Sequence, residues 1–126
     1  MVIKPACIGL DASTICQLRC RCCSNSGGYI KQCLGSGFLK FEDFKRLIND
    51  NPWVRAIELS NWGEIFLNPD LLNIIKYAHE KKVLLNAFNG VNLNTVSHEM
   101  PEALVKYGFD SISCSIDGAS QETYSI

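Results

Sequence analysis

Four of the seven cysteines lie in one short segment, which is the strongest chemical signal in the sequence. Cys16, Cys20, Cys22 and Cys23 fall within eight residues. In a reducing compartment, thiols at such close spacing more often bind a metal or an iron–sulfur cluster than form disulfides. The odd number of cysteines also argues against the fully paired framework of a small secreted protein. We therefore interpret this segment as a metal or cluster site.

The spacing Cys16-x3-Cys20-x2-Cys23 supplies three thiolates from one loop. Three such ligands can hold three irons of a four-iron, four-sulfur cluster and leave the fourth iron open, whereas electron-transfer clusters usually have four cysteine ligands. An open coordination position is typical of a metal that does chemistry. Two other classes stay open here: a structural zinc site closed by Cys22 or Cys33, and a small electron carrier with four cysteine ligands.

Composition limits the class of protein. With 126 residues, 47% of them hydrophobic and 20% charged, the chain is long enough for one domain and unlike a disordered segment. A formal net charge of -1 provides no strong basic field for nucleic acid or an anionic membrane, so we expect neither partner. No apolar run approaches the roughly 20 residues that span a bilayer, and no signal sequence is evident. We expect a cytoplasmic protein in which Cys7, Cys33 and Cys114 are small buried apolar residues.

Strand-like and helix-like segments alternate along the chain. The predicted strands cover residues 6–11, 54–60, 83–88 and 110–116. Between them, apolar residues recur at helical spacing, with Asn68, Ser97 and Ser120 as N-caps and with Asn89 and Gly90 as a turn. Strands separated by amphipathic helices predict an α/β fold with a parallel sheet and right-handed crossovers. Because four strands do not close a barrel and the sequence ends inside a predicted helix, we expect the N-terminal part of a larger sheet.

Polar residues follow every predicted strand, where parallel α/β folds bind their ligands. These are Asp11 with the loop 12–37, residues 61–64, residues 89–90 and residues 117–118. We expect all four ends to meet at one site. On the fourth strand, side-chain alternation predicts that Ser113, Ser115 and Asp117 face inward while Ile112, Cys114 and Ile116 meet the helices. Glu58, in the second strand, is either an inward-facing functional residue or an edge acid.

The sequence closely resembles the radical S-adenosylmethionine (radical SAM) enzymes, for which this three-cysteine spacing directly after the first strand is the defining motif. Further stretches resemble the family in the same order, and residues 61–64 lie where the family carries Gly-Gly-Glu. The others are residues 11–13, 68–72, 88–90 and 115–118. The resemblance implies that residues 1–126 form the N-terminal part of a radical SAM core domain. It would hold four βα units of a partial TIM-type (β/α)6 barrel, with residues 12–37 as the cluster-binding loop.

The resemblance also implies roles for individual residues. Cys16, Cys20 and Cys23 would bind a [4Fe-4S] cluster whose open iron is chelated by S-adenosylmethionine. The residues implied to bind that cofactor are Gly63 and Glu64 at the methionine amino group, Ser115 near the ribose, and Cys22 and Asp117. The chain departs from the family at two positions, since Cys22 replaces an aromatic residue and Trp62 replaces the first glycine of Gly-Gly-Glu.

The implied activity is radical chemistry. An electron from an external donor reaches the cluster and cleaves the carbon–sulfur bond of S-adenosylmethionine, which releases methionine and a 5'-deoxyadenosyl radical. That radical abstracts hydrogen from a substrate, and the resemblance favours a peptide or protein in this role. The chain would then be the cluster and cofactor half of the enzyme.

Overall fold

The computed structural model describes residues 3–116 and 118–124. Four strands alternate with helices along these residues. The strands are β1 Cys7–Gly9, β2 Ala56–Glu58, β3 Leu84–Val91 and β4 Ser111–Cys114. The helices are α1 Tyr29–Leu34, α2 Phe41–Asp50, α3 Leu71–Lys81, α4 Glu99–Lys106 and α5 Gln121–Tyr124, and short 3-10 turns cover Ile65–Leu67 and Leu93–Thr95.

The four strands form one parallel sheet in the order β1-β2-β3-β4. Gly9 pairs with Glu58, Glu58 with Asn86, and Asn86 with Ser111, so one register row crosses all four strands. Each crossover carries a helix, as the alternating pattern predicts for a right-handed βα arrangement. The α/β class and the parallel sheet are therefore confirmed, and the sheet is consistent with part of a TIM-type barrel.

The core lies between the sheet and the helices. Phe44 and Ile48 of α2 are buried, as is the stripe on α3 that the periodicity predicts, namely Leu71, Ile74, Ile75 and Ala78. From the sheet, Ile57 and Leu85 point into the same cluster. Because adjacent strand residues point to opposite faces, Glu58 and Asn86 then lie on the other face of the sheet.

The third strand is longer than the sequence predicts. The predicted turn at Asn89 and Gly90 is wrong, because β3 continues through both residues to Val91. The register against β4 shifts between Ala87 and Val91. Gly90 takes φ +96°, a conformation that glycine adopts without strain, so it forms an irregular step inside the strand rather than its end.

Two of the three predicted caps differ from expectation. α4 begins at Glu99 after His98, without a side-chain capping hydrogen bond at that residue, so the predicted cap at Ser97 is wrong. Asn68 lies two residues before α3 and accepts a hydrogen bond of 2.8 Å from the backbone N–H of Asp70. Ser120 does cap α5, since its Oγ accepts from the N–H of Thr123 at 3.3 Å.

The fourth strand agrees only in part with its predicted faces. Ile112 packs against the core, and Ser113 and Ser115 point away from it, as expected. Cys114 and Ile116 are exposed, the latter by 78%, so neither is buried beneath the helices; Cys114 lines an open groove beside Leu104 and Val105 of α4. The reason is position: β4 is at the end of the strand order, and no described element covers its outer side.

None of the helices in the described ranges has the length and apolar character required to traverse a lipid bilayer.

Candidate functional site

The carboxyl ends of the strands surround a cavity of about 330 Å³. Residues from the long loop after β1, from the turn after β2, from the end of β3 and from Ser115 all contribute to its wall. It therefore brings together most of the residues singled out from the sequence: Cys16, Cys20, Cys22, Cys23, Gly63, Glu64 and Ser115. Asp117 lies outside the described residues.

The loop 12–37 is closed at its base by backbone pairing. Ser13 and Phe38 form an antiparallel bridge. The N–H of Thr14 donates to the carbonyl of Gly37 at 3.0 Å, and the N–H of Leu39 donates to that of Ala12, also at 3.0 Å. The Thr14 hydroxyl accepts from the N–H of Gly37 at 2.9 Å. The loop thus leaves and rejoins the fold at one point, which fixes where its cysteines begin.

Asn68 stabilises this closure from the side. Its Nδ2 donates to the carbonyl of Ala12 at 2.7 Å and to that of Leu39 at 2.9 Å, one from each arm of the base. Asn68 is 4% exposed, so removing its amide would take a buried partner from the Leu39 carbonyl and leave the Ala12 carbonyl with only the N–H of Leu39. The sequence pattern suggests a helix cap at this position, whereas the structure shows a link between the loop and α3.

The turn after β2 packs directly against the beginning of the cysteine loop. A Cβ built on Gly63 would overlap the carbonyl oxygen of Ser13 and lie 2.9 Å from that of Ile15. The next residue, Glu64, donates its N–H to the Ile15 carbonyl at 2.9 Å. Only glycine allows this approach, so Gly63 has a packing role that the sequence did not reveal. Its predicted contact with a cofactor stays a prediction.

Glu64 is 3% exposed, so it is not a solvated loop acid. Oε2 accepts a hydrogen bond of 2.6 Å from the N–H of Asn92, and Oε1 accepts one of 3.1 Å from that of Phe66. Burial raises the pKa of the carboxyl, and the two N–H donors act in the opposite direction. The carboxylate therefore links the turn after β2 to the segment after β3, and it remains on the wall of the cavity.

Asp11, at the end of β1, faces the same turn. Burial raises the pKa of its carboxyl, while hydrogen bonds from the Asn61 side chain and the Trp62 backbone lower it. Its Oδ1 is buried without a hydrogen-bond partner. The polar ends of β1 and β2 are thus in contact, as the sequence predicts.

The four closely spaced thiols line the same cavity, but their side chains do not converge on one point. All seven cysteines are free, and Cys7, Cys33 and Cys114 are exposed, so their prediction as buried apolar residues is wrong.

Burial raises the pKa of the Cys16 thiol, with smaller increases from Glu64 and the neighbouring thiols. Across residues 3–116 and 118–124, no three His, Cys, Asp or Glu side chains converge as a metal site. As a donor set, free thiols on one loop suit an iron–sulfur cluster. Cys33 does not line the cavity.

Glu58 lies below the cavity on a central strand, so it is not an edge acid. It accepts from the Ser60 hydroxyl at 2.5 Å and from the N–H of Phe88 at 3.1 Å. The Ser60 Oγ in turn accepts from the N–H of Asn89 at 3.0 Å. These contacts hold the end of β3 against the end of β2, which supports the irregular step at Gly90.

Ser115 reaches the cavity because of that step. A Cβ on Gly90 would overlap the Ser115 Oγ, and the N–H of Ser115 donates to the carbonyl of Val91 at 3.1 Å. The serine is exposed and so remains free to contact a ligand. Its position near the ribose of S-adenosylmethionine stays a prediction.

Two asparagines of the site were missed by sequence reasoning. Asn92 donates its backbone N–H to Glu64, and Asn25 donates its side-chain amide to two backbone carbonyls near the cysteines. Neither has a local signal: Asn25 lies in a Ser- and Gly-rich segment that reads as a turn, and Asn92 follows a predicted strand end. Only the tertiary contacts identify them.

Comparison with known proteins gives the family. The model of the radical SAM superfamily matches residues 11–126, which is nearly the whole chain and includes all the cysteines of the loop. The chain belongs to the radical SAM superfamily. Members of this superfamily use a [4Fe-4S] cluster and S-adenosylmethionine. No curated protein sequence matches the chain significantly.

Solved structures support the fold of this radical SAM chain. A crystal structure of BtrN in complex with AdoMet and 2-DOIA matches it with a TM-score of 0.66 at 15% identity, over 95% of this chain and 50% of BtrN. Selenomethionine BtrN in an open conformation matches with a TM-score of 0.67 at 16% identity, over 94% of this chain and 53% of the other. The chain therefore spans about half the length of the structures that it matches.

Proposed function

We propose that this chain is the cluster- and cofactor-binding half of a radical SAM enzyme. The observation that carries the proposal is the shared cavity, whose wall combines the three motif cysteines with Gly63, Glu64 and Ser115 in a chain of this superfamily. The thiols that could bind a cluster and the polar residues that could bind S-adenosylmethionine therefore lie around the same cavity.

In this proposal each residue has a separate task. Cys16, Cys20 and Cys23 hold the [4Fe-4S] cluster through their thiolates. The residues assigned to S-adenosylmethionine are Gly63 and Glu64 at the methionine end, Ser115 near the ribose, and Cys22 and Asp117 as further contacts. When bound, the cluster supplies one electron for reductive cleavage of the carbon–sulfur bond of S-adenosylmethionine, so that a 5'-deoxyadenosyl radical can abstract hydrogen from substrate.

The residues of this chain position the cofactor and the cysteines, and they help to shield the site from water. Glu64 keeps a buried carboxylate on the cavity wall, where an ammonium group would give it a charge-assisted hydrogen bond. The clamp at the base of the loop, formed by Ala12, Thr14, Gly37 and Leu39, keeps the cysteines over the carboxyl ends of the strands. A site at this edge of the sheet can be closed from water by loops, which protects a reactive radical.

The partners of this enzyme are a substrate and an external electron donor. We propose a peptide or protein as the substrate, since the family resemblance favours it, and neither nucleic acid nor membrane as a partner, since the net charge is -1. The seven free thiols are consistent with the reducing cytoplasm as its location.

The test is production of 5'-deoxyadenosine. The anaerobically reconstituted chain is mixed with S-adenosylmethionine and dithionite as the electron donor, and the products are identified by mass spectrometry. We expect 5'-deoxyadenosine and methionine in equal amounts, because one bond cleavage releases both. A chain that carries four irons, binds S-adenosylmethionine and yields neither product would contradict the proposed reaction.

A structural zinc site remains the competing function, because the cavity holds a fourth thiol. Cys22 lines the same wall as the three motif cysteines, and four thiolates can close a tetrahedron around zinc. Metal analysis separates the two functions: about one zinc per chain after aerobic purification with no uptake of iron would favour the zinc site. A closed four-cysteine electron carrier would instead load iron without binding S-adenosylmethionine.

A further inference from the structure

Asn25 connects the far end of the cysteine segment to the turn after β2. Its Nδ2 donates to the carbonyl of Trp62 at 2.9 Å and to the carbonyl of Thr14 at 3.2 Å. Both partners are carbonyl oxygens, which only accept, so the amide nitrogen rather than the amide oxygen must face them. A primary amide supplies two hydrogens on one nitrogen and can serve both at once.

The bond to Trp62 fixes a peptide unit of the cavity wall. The peptide between Trp62 and Gly63 is trans and planar, so a fixed Trp62 carbonyl also fixes the direction of the Gly63 N–H. Trp62, Gly63 and Glu64 all line the cavity. Holding this one carbonyl therefore orients the backbone of consecutive residues that line the same cavity as the thiols.

The cysteines lie between two links to this turn. Before them, the Ile15 carbonyl accepts from the N–H of Glu64 at 2.9 Å. After them, Asn25 binds Trp62 and returns to Thr14, the residue next to Ile15. The segment 16–24 is thus a small closed loop whose two ends meet at the turn after β2. Ordering it in this way lowers the number of conformations open to the thiols before any ligand binds.

We propose that Asn25 is a positioning residue, which sets the Trp62 to Gly63 peptide relative to the cysteine segment and so determines how tightly S-adenosylmethionine binds. This inference rests on the proposed function, since it concerns the same cavity. Asn25 itself is not assigned any contact with cluster or cofactor. If Asn25 only suited its local turn, Asn25→Asp would change neither the orientation of the Trp62–Gly63 peptide nor the affinity for S-adenosylmethionine, because aspartate serves equally well in such turns.

The experiment replaces Asn25 by Asp in the full chain. This substitution keeps the shape but removes the donor and places carboxylate oxygens against two carbonyl oxygens. Asn25→Ala removes the donor without adding charge, and Asn73→Asp, at an exposed position on α3, is the matched control for the charge change. Three quantities are measured: iron per chain after anaerobic reconstitution, affinity for S-adenosylmethionine by calorimetry, and amide hydrogen exchange of residues 62–64 in the cluster-free chain.

We expect both Asn25 variants to load as much iron as the parent, while S-adenosylmethionine affinity falls by about tenfold, the effect of one lost hydrogen bond of ordinary strength. Exchange at residues 62–64 should become faster in the variants and stay unchanged in Asn73→Asp. Affinity and exchange within twofold of the control in both variants would overturn the proposal. A parent chain that loads no iron contradicts the proposed function instead, and the exchange measurement still decides whether Asn25 orders the turn.

Discussion

The side chain of Glu64 and the backbone of Asn92 join two loops of the site through a hydrogen bond of 2.6 Å between Oε2 and N. The bond is buried at both ends, since Glu64 is 3% and Asn92 5% exposed. An ionised carboxyl in such surroundings loses hydration, and its two N–H partners offset only part of that loss. The stability of the chain should therefore depend on the protonation of this one residue.

We expect the cluster-free parent to lose stability relative to Glu64→Gln as the pH rises above 4.5, the ordinary pKa of the carboxyl. Because the folded-state pKa is raised, the folded chain binds more protons than the unfolded chain above that pH, and stability falls as pH increases through the folded-state pKa. Urea unfolding of both proteins from pH 4 to pH 8 measures the difference. Parallel curves for the two proteins across this range would rule out the raised pKa.

The same substitution tests the cofactor role of Glu64. Glutamine keeps the shape and removes the charge, so S-adenosylmethionine binding to the cluster-loaded chain should weaken by about 1.5 to 3 kcal/mol if the carboxylate binds an ammonium group. Iron content should stay as in the parent. Calorimetric titration gives the dissociation constant, and a value within about twofold of the parent would remove Glu64 from the cofactor site, since 1.4 kcal/mol already corresponds to tenfold.

Gly63 should tolerate no side chain. Gly63→Ala places a methyl group on the Ser13 carbonyl, so the turn and the loop must move apart, at a cost of about 1–3 kcal/mol or more in the free energy of unfolding. Gly37→Ala is the matched control, because a Cβ there meets nothing within 4 Å. Thermal and urea unfolding of the cluster-free chains compare them. Equal stabilities for the two variants would mean that the close approach is not maintained in solution.

The iron content of cysteine variants identifies which thiols are the cluster ligands. The parent should carry about four irons after anaerobic reconstitution, and Cys16→Ala, Cys20→Ala and Cys23→Ala should each lose most of them, because each removes one of the three proposed thiolate ligands. Cys22→Ala is the control on the same loop and should keep its iron. If Cys22→Ala empties the site while Cys23→Ala remains loaded, the assignment of the motif is wrong.

Elements with a strong local pattern were predictable from the sequence. The apolar spacing of α2 and α3 reflects burial of one helix face, and their buried residues Phe44, Ile48, Leu71 and Ile74 follow that spacing. The polar ends of β1, β2 and β3 also meet as expected, because parallel strands present their carboxyl ends at one edge, and Ser115 after β4 joins them. The family motif places the cysteines in this edge region, and the cavity contains all four of them.

Features that depend on contacts distant in sequence were not predictable. Asn89 and Gly90 form a common turn pair, yet Ser60 and Glu58 bind the neighbouring N–H groups and keep β3 extended to Val91. Asn68 suits a helix cap, but its amide has two carbonyl partners that lie 29 and 56 residues away in the chain. Propensity describes what a residue favours locally, whereas a buried partner can override it.

The closed base of the loop makes its distal part replaceable. Residues 12–14 and 37–39 are joined by their own hydrogen bonds, and the cysteine segment is closed separately by Asn25. Residues 31–36 therefore lie between the two closures and carry exposed side chains at the end of α1 and just after it. Since doubling a loop costs only about 0.6 kcal/mol in closure entropy, this stretch is a natural point for inserting a tag or fluorophore. A reporter grafted there would move with the cysteine loop without touching the residues proposed to bind the cluster.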